Sequence, residues 1–329
     1  MKDGLTAATA SGWSVIAPSI NTPSPRDAHE SRTAELELLH HWTLHTAATL
    51  SPGSQELYLW QSVLVELSFP HDFLLDGMLA LSAIHKAVRQ PQHSSSLMLR
   101  SSMYIERAIT SFRSHLDQPS AATTVPVFAL ASLLAIHSLA IAQVQPPSDP
   151  LHALCFMARL FKGIGATIRN YWNHLLESDI TPLLVFVDKE SLTAEELPEL
   201  VRLRDWVAQM QNLDHHLREA CLDAIDELHF ILRHIRSLEH GDRAPVAITL
   251  NWPAMLPSVF LDHLAEKHEV TLVILAHFAI PCSMHEDTWF LRNWARWTFE
   301  EDQEVDERLG AEYESYIEWP REMMRTTVS

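Results

Sequence analysis

Glycine is scarce in this chain, eight among 329 residues, and no two of its three cysteines stand at Cys-x-x-Cys spacing. So few glycines fit helices joined by short connections, and most of the 18 prolines fall between periodic segments. Cys155, Cys221 and Cys282 lie far apart in apolar or helical surroundings. A structural zinc cluster is thereby excluded and a disulfide framework is not expected; reduced, buried thiols of an intracellular protein fit better. Gly-x-Gly-x-x-Gly, P-loop, Gly-x-Ser-x-Gly and paired-carboxylate motifs are absent. Nothing therefore demands a nucleotide cofactor or a serine nucleophile, and no cofactor or metal is expected. Positive charge is in short supply too: 24 Lys and Arg against 42 Asp and Glu give a formal net charge of −18. That balance argues against stand-alone nucleic-acid binding and against anionic membrane surfaces. Strand-length alternation and fixed-period repeats are also missing, which leaves the all-α class.

What is present is apolar helix. Residues 1–31 are rich in Ser, Thr, Pro and Ala, without the basic and apolar regions of a leader, and read as a disordered arm. Residues 32–329 read as a single helical domain. Its centre is FPHDFLLDGMLALSAIHKAV, residues 69–88, with Asp72 as the expected N-cap and apolar side chains on almost every face. A helix apolar all round must be buried all round. Asp76 and His85 interrupt the run nine residues apart, which at ~100° per residue puts them on opposite faces, so they are no dyad within this helix. VPVFALASLLAIHSLAIAQV, residues 125–144, carries no charge and is long enough to span a bilayer. Lacking a basic cluster or aromatic belt at its ends, it reads as a second core helix, with Pro126 in the first turn. The expected architecture is a multi-helix bundle around buried central helices at about 72–89 and 125–144, with an apolar ligand cavity.

Four further features invite chemistry. His41 and His45 stand at i, i+4, a spacing that lets two imidazoles share a metal, but no third ligand is suggested and the pair reads as structural. His85, His137 and His277 are each a lone ionisable group on an apolar helix; each reads first as a core histidine with a partner, and otherwise as a polar contact in a pocket. Asp76 reads as one half of a structural pair. The Trp and Phe residues at 289–299 read as helix packing or as walls for a flat ligand, and the acidic run 300–307 as a solvated face. If a pocket exists, apolar density assigns its walls to Trp60, Phe73, Met78, Leu81, His85, Leu134, His137, Phe278, Trp289 and Trp297.

LELLHHWTLHTAATLS (36–51), LWQ (59–61), HDFLLDGMLALSAIHKA (71–87), LVILAHFAI (272–280) and EWPR (318–321) together resemble the C-terminal effector domain of fungal zinc-cluster transcription factors, of the sterol uptake control type. The resemblance implies an all-α bundle, often dimeric, that holds a sterol or similar lipid and controls a separate DNA-binding unit. The six-cysteine cluster of that unit is not in this sequence, so direct DNA binding is not implied. Two functions follow as expectations. One is a regulatory or sensor domain for an apolar small molecule (a sterol, lipid, polyketide or terpenoid), acting as a homodimer or through a protein partner, in cytoplasm or nucleus, with no membrane contact. The other is a biosynthetic enzyme of fungal secondary metabolism, of cyclase, isomerase or pericyclase type, with His85, His137 and Asp76 as its candidate catalytic groups.

Overall fold

Helices make up the regular structure of the computed structural model, which describes residues 25–50, 53–117, 120–181, 195–238, 245–300 and 308–327; no strand occurs among the described residues. The chain divides into two compact units at residues 37 and 38. Helix α1 (Pro25–His41) crosses that division, beginning inside the stretch expected to be a disordered arm. In the first unit, Thr33 Oγ1 donates to the His29 carbonyl at 3.0 Å. The second unit holds the core.

At the start of the second unit, α1 runs on into a π-helical turn, Trp42–Thr46. A second π turn, Leu59–Val63, sits between α2 (Ser54–Tyr58) and α3 (Leu64–Ser68). A π turn loosens the regular backbone ladder, and here carbonyls in both turns accept side-chain donors instead. Trp42 Nε1 donates to the Trp60 carbonyl at 2.8 Å, and Gln61 Nε2 donates to the Thr43 carbonyl at 2.8 Å. The two widened turns are therefore tied to each other.

The central run forms α4 (Asp72–Arg89). Its N-cap is His71, one residue before the expected Asp72, and His71 offers no side-chain cap bond. Phe73, Leu74, Met78, Leu79, Leu81 and Ile84 are almost fully buried, as the all-round apolar pattern requires. They lie against α5 (Ser94–Asp117), α6 (Ala121–Ala140), α3 and the first π turn. Gly77 allows one of these crossings: a Cβ placed there would lie 2.3 Å from Cδ1 of Leu130 on α6. Helix α6 starts earlier than its charge-free run suggested, because Ser120 and Thr123 form a capping box, and Pro126 consequently lies inside the helix. Although long and apolar enough to cross a membrane, α6 is mostly buried within the protein.

After α6 the chain enters α7 (Pro150–Ile168), capped by Asp149 through a 2.9 Å bond from the His152 amide. A short helix, α8 (Trp172–Leu176), returns to α6. The second half comprises α9 (Pro198–Gln209), α10 (His215–Ser237), α11 (Val246–Met255), α12 (Ser258–Ala265), α13 (Glu269–Ser283) and α14 (Glu314–Thr327). Every residue of α13 from Val270 to Ser283 is buried, a second all-round apolar helix that α10, α12 and α14 enclose. Helix α7 joins the halves, lying on α6 to one side and on α11 and α12 to the other. Thr193, expected in a capping box with Glu196, and the acidic residues 301–307 lie outside the described residues.

Gly77→Val should lower unfolding stability by about 1–3 kcal/mol, because its branched side chain must displace fully buried Leu130. Urea denaturation of purified wild type and variant checks this, with the lost stability read from the shift in midpoint.

Candidate functional site

The polar groups of the apolar core each have a definite structural setting. Asp76 faces α5, where Arg107 holds its carboxylate at 2.8 Å with the guanidinium half out in solvent. Elsewhere on α4, Ser82 Oγ donates to the Leu38 carbonyl at 2.7 Å. His137 of α6 meets Ser101 of α5 at 2.8 Å, and Ser101 Oγ in turn donates to the Ala80 carbonyl at 2.9 Å. With its own proton committed to Ala80, the serine oxygen accepts the Nε2–H of His137, which fixes that tautomer. His277 Nδ1 donates to the Val273 carbonyl one turn back at 2.8 Å, with the Trp319 ring 5.7 Å away. Burial pushes both histidines down to about 4, so both are neutral at physiological pH. His229, which no motif singled out, accepts the Leu197 amide at 3.0 Å beside Glu196.

His85 belongs to a different group. Its Nδ1 lies 3.0 Å from Thr46 Oγ1. Its ring lies 4.8 Å from Trp289 and 5.2 Å from His41, and His41 lies 5.0 Å from His45. Trp289 Nε1 donates to Thr49 Oγ1 at 2.8 Å, which brings the late aromatic segment onto the 3-10 turn, Ala47–Thr49, that follows the first π turn. Burial lowers His85 to about 3 and His41 to about 4, helped by the positive charges of Arg89 and, at His41, Lys86. Spacing had paired His41 with His45; only the tertiary structure adds His85.

The three groups named as catalytic candidates do not converge. Asp76 is paired with Arg107, His137 with Ser101, and His85 with Thr46. The ten candidate wall residues are likewise divided among several contacts. Phe73 packs on Phe112 and His115, and Trp60 meets Trp42 edge-on. Phe278 stacks on Trp252 at 4.3 Å, and Trp297 meets Trp294 edge-on. Met78 and Leu81 are fully enclosed and Leu134 nearly so. One void of about 10 Å³, room for a single water, lies between the halves. Leu139, Leu154, Met157, Leu250, Phe278, Cys282, Leu291, Trp294 and Thr298 line it, so Phe278 is the wall candidate that reaches it. All three cysteines are free and buried; burial pushes Cys155 up to about 11 and Cys221 up to about 12, which keeps these thiols protonated.

His137 and His277 set a pH dependence. Each is neutral when folded down to about pH 4, whereas an unfolded histidine binds its proton near pH 6.5. The unfolded chain thus gains protons first as pH falls, so stability is complete above about 6.5 and is lost toward about 4. Together the two groups should contribute a slope of up to about 2.7 kcal/mol per pH unit in that window. Urea denaturation from about pH 7.5 to about pH 4.5 should show the decline, and His137→Gln/His277→Gln should flatten it by about two protons.

Residues 37–175 match the fungal specific transcription factor domain, a stretch that takes in the π turns, α4 to α7 and all but the last residue of α8. Across 92% of its length the chain is 22% identical to a Zn(2)-C6 fungal-type transcription factor of Gibberella zeae, and it spans 64% of that relative. A Zn(2)-C6 cluster takes six cysteines, as its name states, and this sequence has three, all buried. The first half of the helical body thus carries the match to the fungal specific transcription factor domain, and in sequence the chain is fungal transcription-factor-like.

Proposed function

We propose that this chain is a regulatory domain that admits an apolar small molecule between its two halves and signals by protein contact, as a homodimer or to another protein, without reading DNA itself. The match of residues 37–175 to a transcription-factor domain is the observation that carries the reading. The net charge of −18 supports the part about DNA. The ligand class follows from the seam around α7. Its lining is apolar apart from Thr298 and the Cys282 thiol, the composition expected where a few polar groups orient an otherwise greasy guest. A ligand site of about 300 Å³ or more is far larger than the present void, so uptake has to be coupled to movement of α7 away from α11 and α13. That coupling gives the ligand a differential hold on two arrangements of the halves, which is what a switch needs. An intracellular location, nuclear or cytoplasmic, accompanies this reading.

Purified protein titrated with a sterol, a long-chain fatty acid and an aromatic polyketide should bind one class saturably and unfold at a higher temperature in its presence. Leu250→Phe, which adds bulk at the partly buried edge of the seam, should weaken that binding. Absence of saturable uptake across all three classes overturns the ligand reading. Mass spectrometry of the same incubations adds a separate check, since a new product would replace the sensor with the enzyme alternative.

A further inference from the structure

The end of α1 and the first π turn set two imidazoles four residues apart, beside a third that comes from α4. His41 ends α1, His45 lies in the first π turn, and His85 comes from α4. Successive ring centroids are 5.0 Å and 5.2 Å apart. A zinc–nitrogen bond of about 2.0–2.1 Å puts a ring centroid about 3.2 Å from the ion, so two rings at a tetrahedral angle sit roughly 5 Å apart. A second, independent observation concerns His41 itself. It is 8% exposed, and its Nε2 is buried without a hydrogen-bond partner. A native core seldom leaves such an atom unused, and an unfilled ion site is one recognised reason.

We propose that His41, His45 and His85 form a binding site for a divalent transition-metal ion with a preference for imidazole, such as zinc. Each residue has a distinct part. His41 supplies the buried Nε2. His85 is held through Nδ1 by Thr46, 3.0 Å away, which leaves its Nε2 for the ion and makes Thr46 the outer partner that orients the ring. The three do not hold ligand atoms within 4.8 Å of one another as they stand, so the exposed His45 has to turn its ring toward the other two to complete a three-nitrogen face. Burial keeps His41 and His85 deprotonated, so neither must lose a proton to bind. Lys86 and Arg89 act on His41 as repelling charges, and the ligand set carries no negative charge of its own. Affinity is therefore expected to be modest, and the fourth position falls to water or to an anion that offsets those cations.

A surface trio complicates the measurement. His215, His216 and Glu219, at the start of α10, place ligand atoms within 4.8 Å of one another but are all exposed. The test accordingly uses full-length protein carrying His215→Ala and His216→Ala, stripped with chelator and titrated with zinc against a chromophoric competitor. One equivalent should bind in that background. Adding His45→Ala, an exposed change that leaves the core intact, should weaken binding by about tenfold or more, and Thr46→Val should weaken it by about tenfold through the loss of orientation at His85. Circular dichroism on each variant separates loss of metal from loss of fold. Zinc bound by wild type but not by the His215→Ala/His216→Ala protein would overturn the proposal, as would affinity unchanged by His45→Ala.

Discussion

The requirement that α4 be covered on all sides organises the first half of this molecule. An 18-residue helix with apolar side chains around most of its circumference cannot lie on a surface, so α3, the first π turn, α5 and α6 are recruited around it. Close approach then becomes the limiting condition, and Gly77 meets it where Leu130 crosses. The polar groups that interrupt α4 find partners only because those neighbours arrive. Arg107 answers Asp76 from α5, Thr46 answers His85 from the π turn, and the Ala80 carbonyl is reached by Ser101. An unanswered polar group in this setting would cost roughly 1–3 kcal/mol, so the packing of α4 and its polar contacts form together.

The second half repeats the solution with α13. Its buried run from Val270 to Ser283 is enclosed by α10, α12 and α14, and Trp252 stacks on Phe278 while donating its Nε1–H to the Ala224 carbonyl at 2.8 Å. Helix α7 belongs to both halves, which is why the one-water void beside it is the natural place for the halves to part. It is held by polar as well as apolar contacts: Arg159 reaches Asp262 of α12 at 2.9 Å and Lys162 donates to the carbonyl of Leu256, the residue after α11, at 3.0 Å. Exposed contacts of this kind contribute little each, so the apolar seam dominates the resistance to opening.

The family match ends within α8, close to the limit of the first half, while the similarity to the Gibberella zeae transcription factor continues through most of the chain. The domain match alone therefore falls on nearly the same segment as the first half of the body. The histidine cluster lies at the head of that segment, at the paired π turns, a departure from regular helix that costs hydrogen-bond geometry and is found mostly where function asks for it.

Periodicity alone determined the all-α class, the two apolar central helices and their burial, because an apolar run of helical length has only one place to go in water. It also placed Asp76 and His85 on opposite faces, since the angle per residue is a property of the helix and not of its neighbours. Local chemistry was less decisive at helix starts. His71 took the N-cap expected at Asp72, because capping depends on the approach of the preceding chain as well as on residue type. Only the tertiary structure decided which polar groups meet. Arg107 lies 31 positions from Asp76, Thr46 lies 39 from His85, and Thr49 lies 240 from Trp289. Apolar density in a sequence marks what must be buried, but it carries no information about whether the buried faces close on one another or enclose a chamber. That depends on how helices from both halves settle around α7, a geometry that no single segment encodes.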